Sequence, residues 1–263
     1  MFTSLAVPAS LEDSLDTFET TDKNDDDMDD TDPDKLKINV YELATQIEMA
    51  NEFANRKVAE GDTSMPPHYM ASIVLYTCEF LNGASVYSYV NRLLRDADRK
   101  KVKVVKKYIW LLMNALERCP AYDGALVFRG IKGLPHSAFV AGMVLTWLQF
   151  SSTAASVEVQ NEFLGQEGER TLLSIELTTG RGRIIDQYSY FPQEREVLLP
   201  ANTRIQVVAI FNAGGGLTQV QLKEVKPLDP ILVFGAKGAT SMPTLLPPTP
   251  PTPTTPSTPS GDT

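Results

Sequence analysis

Three separated stretches carry side chains able to do chemistry. Glu194 and Glu196 lie two apart in Tyr188-Ser189-Tyr190-Phe191-Pro192-Gln193-Glu194-Arg195-Glu196-Val197-Leu198-Leu199-Pro200. In extended backbone, residues two apart point to the same side, so both carboxylates can enter one site while Arg195 faces away. Arg129 ends the apolar run Val127-Phe128 and precedes Gly130. That pairing sets a cation, able to make charge-assisted hydrogen bonds, where a ligand can approach the backbone closely. Ser151, Ser152 and Thr153 follow Trp147-Leu148-Gln149-Phe150 and place small hydroxyls at a strand end. Each stretch also has a plainer reading: a charged strand edge facing water, a structural arginine paired to a carboxylate, and a strand end with turn residues.

The elements that must hold these residues fall into two halves. From Val40 to Val58 the apolar positions Leu43, Ile47, Ala50, Phe53 and Ala54 are mostly three or four apart, which predicts an amphipathic helix. Further helices are predicted over 67–80, 84–97 and 100–118, the second with Val86, Tyr89, Val90, Leu93 and Leu94 on one face. After Pro120 the pattern changes to strands: Ala125–Phe128, Met143–Phe150, Thr171–Leu177, Glu196–Leu199, Thr203–Phe211 and Thr218–Val225. Gly214-Gly215-Gly216 reads as a hairpin turn and not a phosphate loop, because no helix start follows it. Helices first and strands second predict an α+β fold rather than alternating β-α-β units.

Composition bounds the rest. A chain of 263 residues that is 43% hydrophobic suits one sizeable core with tails. The net charge of −9 hides an asymmetry: residues 1–34 hold twelve acids and one base, the remainder 21 acids and 23 bases. The body is therefore nearly neutral and gives no argument for a nucleic-acid partner. Residues 1–37 are expected to be a disordered acidic tail, residues 38–230 the folded domain, and residues 231–263 a disordered Pro/Thr-rich tail with eight prolines from Pro243 to Pro259. Eight Lys or Arg residues from Arg92 to Lys107 read as a solvated helix end, with docking of the acidic tail as the alternative. Cys78 and Cys119 could form one disulfide at most and are read as two buried thiols; with only His68 and His136 to help, no metal site is expected. The absence of a basic leader, a long apolar run and a lipid-anchor tail leads to the expectation of a cytoplasmic protein with no membrane contact, and a monomer is expected.

The order and spacing of the three stretches resemble those of the arginine-specific mono-ADP-ribosyltransferases of the arginine-serine-glutamate class. That family carries an aromatic-Arg-Gly strand, then Phe-x-Ser-Thr-Ser, then Glu-x-Glu-Val-Leu-x-Pro. They correspond to Phe128-Arg129-Gly130, Phe150-Ser151-Ser152-Thr153-Ala154 and Glu194-Arg195-Glu196-Val197-Leu198-Leu199-Pro200. Val86-Tyr87-Ser88-Tyr89-Val90-Asn91-Arg92-Leu93-Leu94-Arg95 is similar to the region the family places before them, and the resemblance covers residues 40–226. One departure is Ala154 at the third position of the Ser-Thr-Ser pattern; Ser152 at the first is kept.

The resemblance implies a split two-sheet β core preceded by helices, and transfer of ADP-ribose from NAD to protein arginine with release of nicotinamide. NAD would be bound by Arg129 at the pyrophosphate, by Gly130 through its backbone, and by Ser152 and Glu196. Glu196 would face the cation forming at the ribose, Ser152 would orient Glu196, and Glu194 would bind and help deprotonate the incoming guanidinium. Tyr190 or Phe191 would meet the target protein. The alternatives are an NAD glycohydrolase with the same site, an inactive module that binds NAD or a protein, and a scaffold defined by its tails.

Overall fold

The computed structural model describes residues 8–24, 36–134, 136–158 and 164–227. Five helices come first: α1 (Leu11–Leu15), α2 (Val40–Ala59), α3 (Pro67–Thr77), α4 (Val86–Arg95) and α5 (Val102–Arg118). Asn39 caps α2, its side-chain oxygen accepting from Tyr41 N and Glu42 N at 3.0 and 3.1 Å. Proline opens α3, where its missing N–H is no loss. This central helix is buried almost all round, from Tyr69 to Tyr76. The predicted face of α4 (Val86, Tyr89, Val90, Leu93, Leu94) is the one it buries.

The acidic N-terminal stretch needs correction. Within the 37 residues expected to lack structure, α1 folds onto α5 and the short strand β1 (Thr20–Thr21) pairs in parallel with β2 (Ile38–Asn39), the start of the expected domain. Leu11, Leu15 and Phe18 join the helical core, with Leu11 fully buried. The Phe18 ring lies 5.3 Å from Tyr89 and 5.8 Å from Tyr108, centroid to centroid. Averaging charge over the stretch hid an apolar stripe at four- and three-residue spacing, enough to dock one helical turn. Lys107 of α5 reaches Asp13 at 3.0 Å and Asp16 at 2.7 Å, so part of the basic run does receive acidic side chains. The acidic run 25–30 and the Pro/Thr-rich stretch 231–263 lie outside the described residues.

The second half forms one eight-stranded sheet from β3 (Leu126–Lys132), β4 (Val144–Trp147), β5 (Ser151–Ala154), β6 (Arg170–Glu176), β7 (Arg183–Ile184), β8 (Glu196–Leu199), β9 (Thr203–Gly214) and β10 (Leu217–Glu224). Its order is β4-β9-β10-β6-β3-β5-β8-β7, with β10 and β6 parallel and the other neighbours antiparallel. The sheet is nearly two. β3 and β6 share seven residue pairs, whereas β3 joins β5 through the single pair Phe128–Ala154. Five strands lie on one side of this junction and β5, β8 and β7 on the other.

Two local expectations change. The strand predicted for Met143–Phe150 stops at Trp147, and a separate strand begins at Ser151. β4 is the edge strand beside β9, while β5 lies across the sheet between β3 and β8. The turn between them buries Phe150 in the helical core, which directs the chain from one region to the other. Arg129 lies in the middle of β3, not at its end, because the strand continues to Lys132. The glycine triplet closes the β9–β10 hairpin as expected, all three residues having positive φ.

Candidate active site

Strand alternation explains how a carboxylate comes to be buried. All four residues of β8 are buried. Val197 and Leu199 pack in the sheet's second core, whereas Leu198 packs in the helical core. Glu196, two residues before Leu198, therefore faces the helices, and only 6% of it is exposed. Ser152 of β5 stands opposite Leu198 and shares that side. The Ser152 hydroxyl is hydrogen-bonded to the Glu196 carboxylate.

Glu196 is electrostatically unusual. Burial, and secondarily the charge of Glu194, raise its pKa to about 7, against opposing pulls from the Ser152 hydroxyl and Arg129. Arg129 is half-buried, and its Nη1 donates to the carbonyl oxygen of Ser152 at 2.8 Å. This bond crosses the point where the sheet divides. One guanidinium thus fixes the relative placement of β3 and β5 where their ladder has a single pair.

The loop before β8 departs from the sequence expectation. Glu194 ends a 3₁₀ turn (Pro192–Glu194), and Arg195 is left-handed with φ 47° and ψ 49°. Glu194 and Glu196 are therefore not a pair set by extended-strand alternation. The 3₁₀ turn ends at Glu194 and only Arg195, with its positive φ, separates it from the strand residue Glu196, yet both side chains line one cavity of about 350 Å³. Burial, then the charge of Glu79, raises the pKa of Glu194.

Four hydrogen bonds hold this loop. Tyr188 is fully buried and donates its hydroxyl to Asp62 Oδ2 at 2.7 Å, while Ser64 Oγ lies 2.6 Å from the Tyr188 hydroxyl oxygen. Tyr190 N donates to Thr77 Oγ1 at the end of α3, at 2.8 Å. Phe191 N donates to Ser189 Oγ at 3.0 Å. Phe191 lines the cavity, and Tyr190, 45% exposed, meets it edge-on at 5.1 Å.

The cavity brings together Arg129, Ser152, Glu194 and Glu196, as expected; Gly130, buried in β3, does not line it. The helical half supplies a wall that the motif residues alone did not reveal: Tyr76, Thr77 and Glu79 at the end of α3, and Tyr87, Ser88, Asn91 and Arg95 of α4. The signal was present in α4. Once its apolar face is assigned to the core, residues 87, 88, 91 and 95 are left on the opposite side. Asn91 links the halves: Nδ2 donates to the Tyr76 hydroxyl at 2.9 Å, and Oδ1 accepts from Phe150 N at 3.1 Å.

Cys78 and Cys119 are buried free thiols, each raised to about 12 chiefly by burial. Among the described residues, no cluster of His, Cys, Asp or Glu could hold a metal ion, and no helix is long and apolar enough to cross a membrane.

The family model "NAD:arginine ADP-ribosyltransferase" matches residues 16–228. Human ecto-ADP-ribosyltransferase 5 is 35% identical over 171 residues, which cover 60% of this chain and 56% of that protein. The mono(ADP-ribosyl)transferase SpvB of Salmonella typhimurium is 26% identical over 140 residues, 51% of this chain and 22% of SpvB. The chain thus spans about half the length of the human relative. Among solved structures, the ADP-ribosyltransferase Vis of Vibrio splendidus shares the fold with a TM-score of 0.51, at 22% identity over 70% of this chain and 86% of Vis. With a family model that spans both the helical half and the sheet, the chain belongs to the NAD:arginine ADP-ribosyltransferase family.

Proposed function

We propose that this protein transfers ADP-ribose from NAD to the guanidinium of protein arginine and releases nicotinamide. The observation that carries the reading is the convergence of Arg129, Ser152, Glu194 and Glu196 on one cavity. NAD combines a pyrophosphate with a cationic nicotinamide ring. The cavity offers cations for the first, Arg129 and Arg95, and the aromatic surface of Tyr87 for a flat ring.

In the reaction the bond between nicotinamide nitrogen and ribose C1′ breaks, and its electron pair leaves with nicotinamide. Positive charge develops on the ribose. Glu196, once ionised, stabilises that charge from a site where few waters compete. The Ser152 hydroxyl keeps the Glu196 carboxylate aimed, and the bond from Arg129 to the Ser152 carbonyl holds the strand that carries the hydroxyl. A guanidinium nitrogen of the acceptor then attacks C1′ and gives up a proton. Glu194, whose raised pKa makes it a stronger base than an ordinary glutamate, is placed to take it. Tyr190, exposed beside the cavity mouth, would contact the target protein.

The test supplies labelled NAD with polyarginine or agmatine and follows labelled acceptor and free ADP-ribose in parallel. Labelled acceptor is the expected product. Free ADP-ribose alone would make the protein an NAD glycohydrolase, and neither product would make it a binding module.

A further inference from the structure

We propose that Glu79 forms the second half of the acceptor's guanidinium site, opposite Glu194, and so determines specificity for arginine. The proposal rests on the reading above that the acceptor is a guanidinium. Glu79 lies outside the three motif stretches, on the segment that leaves α3. Cys78, the C-cap of α3, turns to extended backbone with φ −68° and ψ 137°, which carries Glu79 away from the helical core. Glu79 is exposed and lines the cavity; Glu194 reaches the same cavity from the loop before β8.

The two carboxylates are near enough to act on each other, since the charge of Glu79 opposes ionisation of Glu194. Among the described residues, neither side chain makes an ion pair or a hydrogen bond. Arg95 and Arg129 line the same cavity yet pair with neither glutamate. Two like charges held at one opening without a counter-ion are unfavourable until a cation arrives. A point charge would satisfy one of them well. A guanidinium, flat and with five N–H donors directed along several edges, can present one edge to each carboxylate at once. Phe191, on the same loop as Glu194, supplies aromatic surface in that cavity, against which a guanidinium plane packs favourably.

This arrangement separates the two substrates. NAD is served by Glu196, Ser152 and Arg129, whereas Glu79 and Glu194 serve the acceptor. Water, as an acceptor, needs neither. The experiment uses the whole 263-residue chain, wild type and Glu79→Gln, with agmatine as the guanidinium probe and NAD hydrolysis measured alongside. Glu79→Gln is expected to raise KM for agmatine about tenfold, the loss expected for one charge-assisted contact. Turnover at saturating agmatine and NAD hydrolysis should stay within about twofold. Glu79→Lys should raise KM further by placing a cation where the acceptor binds. An unchanged KM in both variants, with wild type active on agmatine, would overturn the assignment of Glu79. A parallel loss of hydrolysis would also overturn it, by moving Glu79 to the NAD side. No transfer by wild type would instead reject the acceptor reading beneath it.

Discussion

Arg129 donates from Nη1 to the carbonyl oxygen of Ser152 at 2.8 Å, across the line where β3 and β5 share one residue pair. The cation and the hydroxyl of the site are therefore set by one contact, and the hydroxyl in turn sets Glu196. A lysine would keep the charge but lose the planar fork that can hold the carbonyl and still face an anion. Arg129→Lys is expected to weaken NAD binding about tenfold while the protein remains folded. Titration of NAD against the variant checks this, and an unchanged dissociation constant would leave Arg129 a purely structural role.

Glu196 carries a stability cost that follows from its burial. Its folded pKa of about 7 lies above its ordinary 4.5, so the native state holds the proton more tightly than the unfolded chain does. Stability contributed by this group is full below about pH 4.5 and is lost as pH rises through 7, a change of about 3 kcal/mol. Glu196→Gln keeps the shape and removes the titration. At about pH 8 the variant should unfold at a higher temperature than wild type, with the gap closing near pH 5. Its NAD cleavage should fall by roughly two to four orders of magnitude, because no charge faces the ribose cation. Thermal melts at the two pH values and a nicotinamide-release assay measure both effects.

The N-terminal segment is part of the folded unit. Leu11 is fully buried beside Leu15 and Phe18 in the helical core. Leu11→Ala should cost about 2–4 kcal/mol through lost burial and the cavity left behind. Lys107→Ala, which removes partly exposed ion pairs to Asp13 and Asp16, should cost much less than Leu11→Ala. Denaturant unfolding distinguishes an apolar anchor from an electrostatic one. A larger loss for Lys107→Ala than for Leu11→Ala would reverse this account.

The parts of the fold legible in the sequence are those where periodicity and burial coincide. The apolar stripe of α4 and the strand Glu196–Leu199 fall where the spacing places them. Three features were not legible, each for a physical reason. Arg195 adopts φ 47°, a conformation that a non-glycine residue does not announce, so the two glutamates appeared to be a simple strand pair. Ser151–Ala154 is built of small and polar residues, and its place in the sheet follows from its partners in β3 and β8 rather than from its own pattern. The dominance of Asp and Glu near the N-terminus concealed Leu11, Leu15 and Phe18, whose contribution depends on a tertiary partner in α5. Of the site, the sheet side was readable from motif order. Tyr76 and Glu79 were not, because they come to the cavity through helix packing.

The central claim is a division of labour: Glu196 acts on NAD and Glu194 on the acceptor, although both line one cavity. The geometry gives them different settings. Glu196 is 6% exposed in β8 and bonded to Ser152, while Glu194 is exposed at the end of a 3₁₀ turn. The most direct measurement is Glu194→Gln, with released nicotinamide and labelled agmatine quantified in the same reaction. The account predicts that transfer falls at least about a hundredfold while NAD hydrolysis persists within a few-fold of wild type. Equal loss of both activities, or survival of transfer, would contradict it.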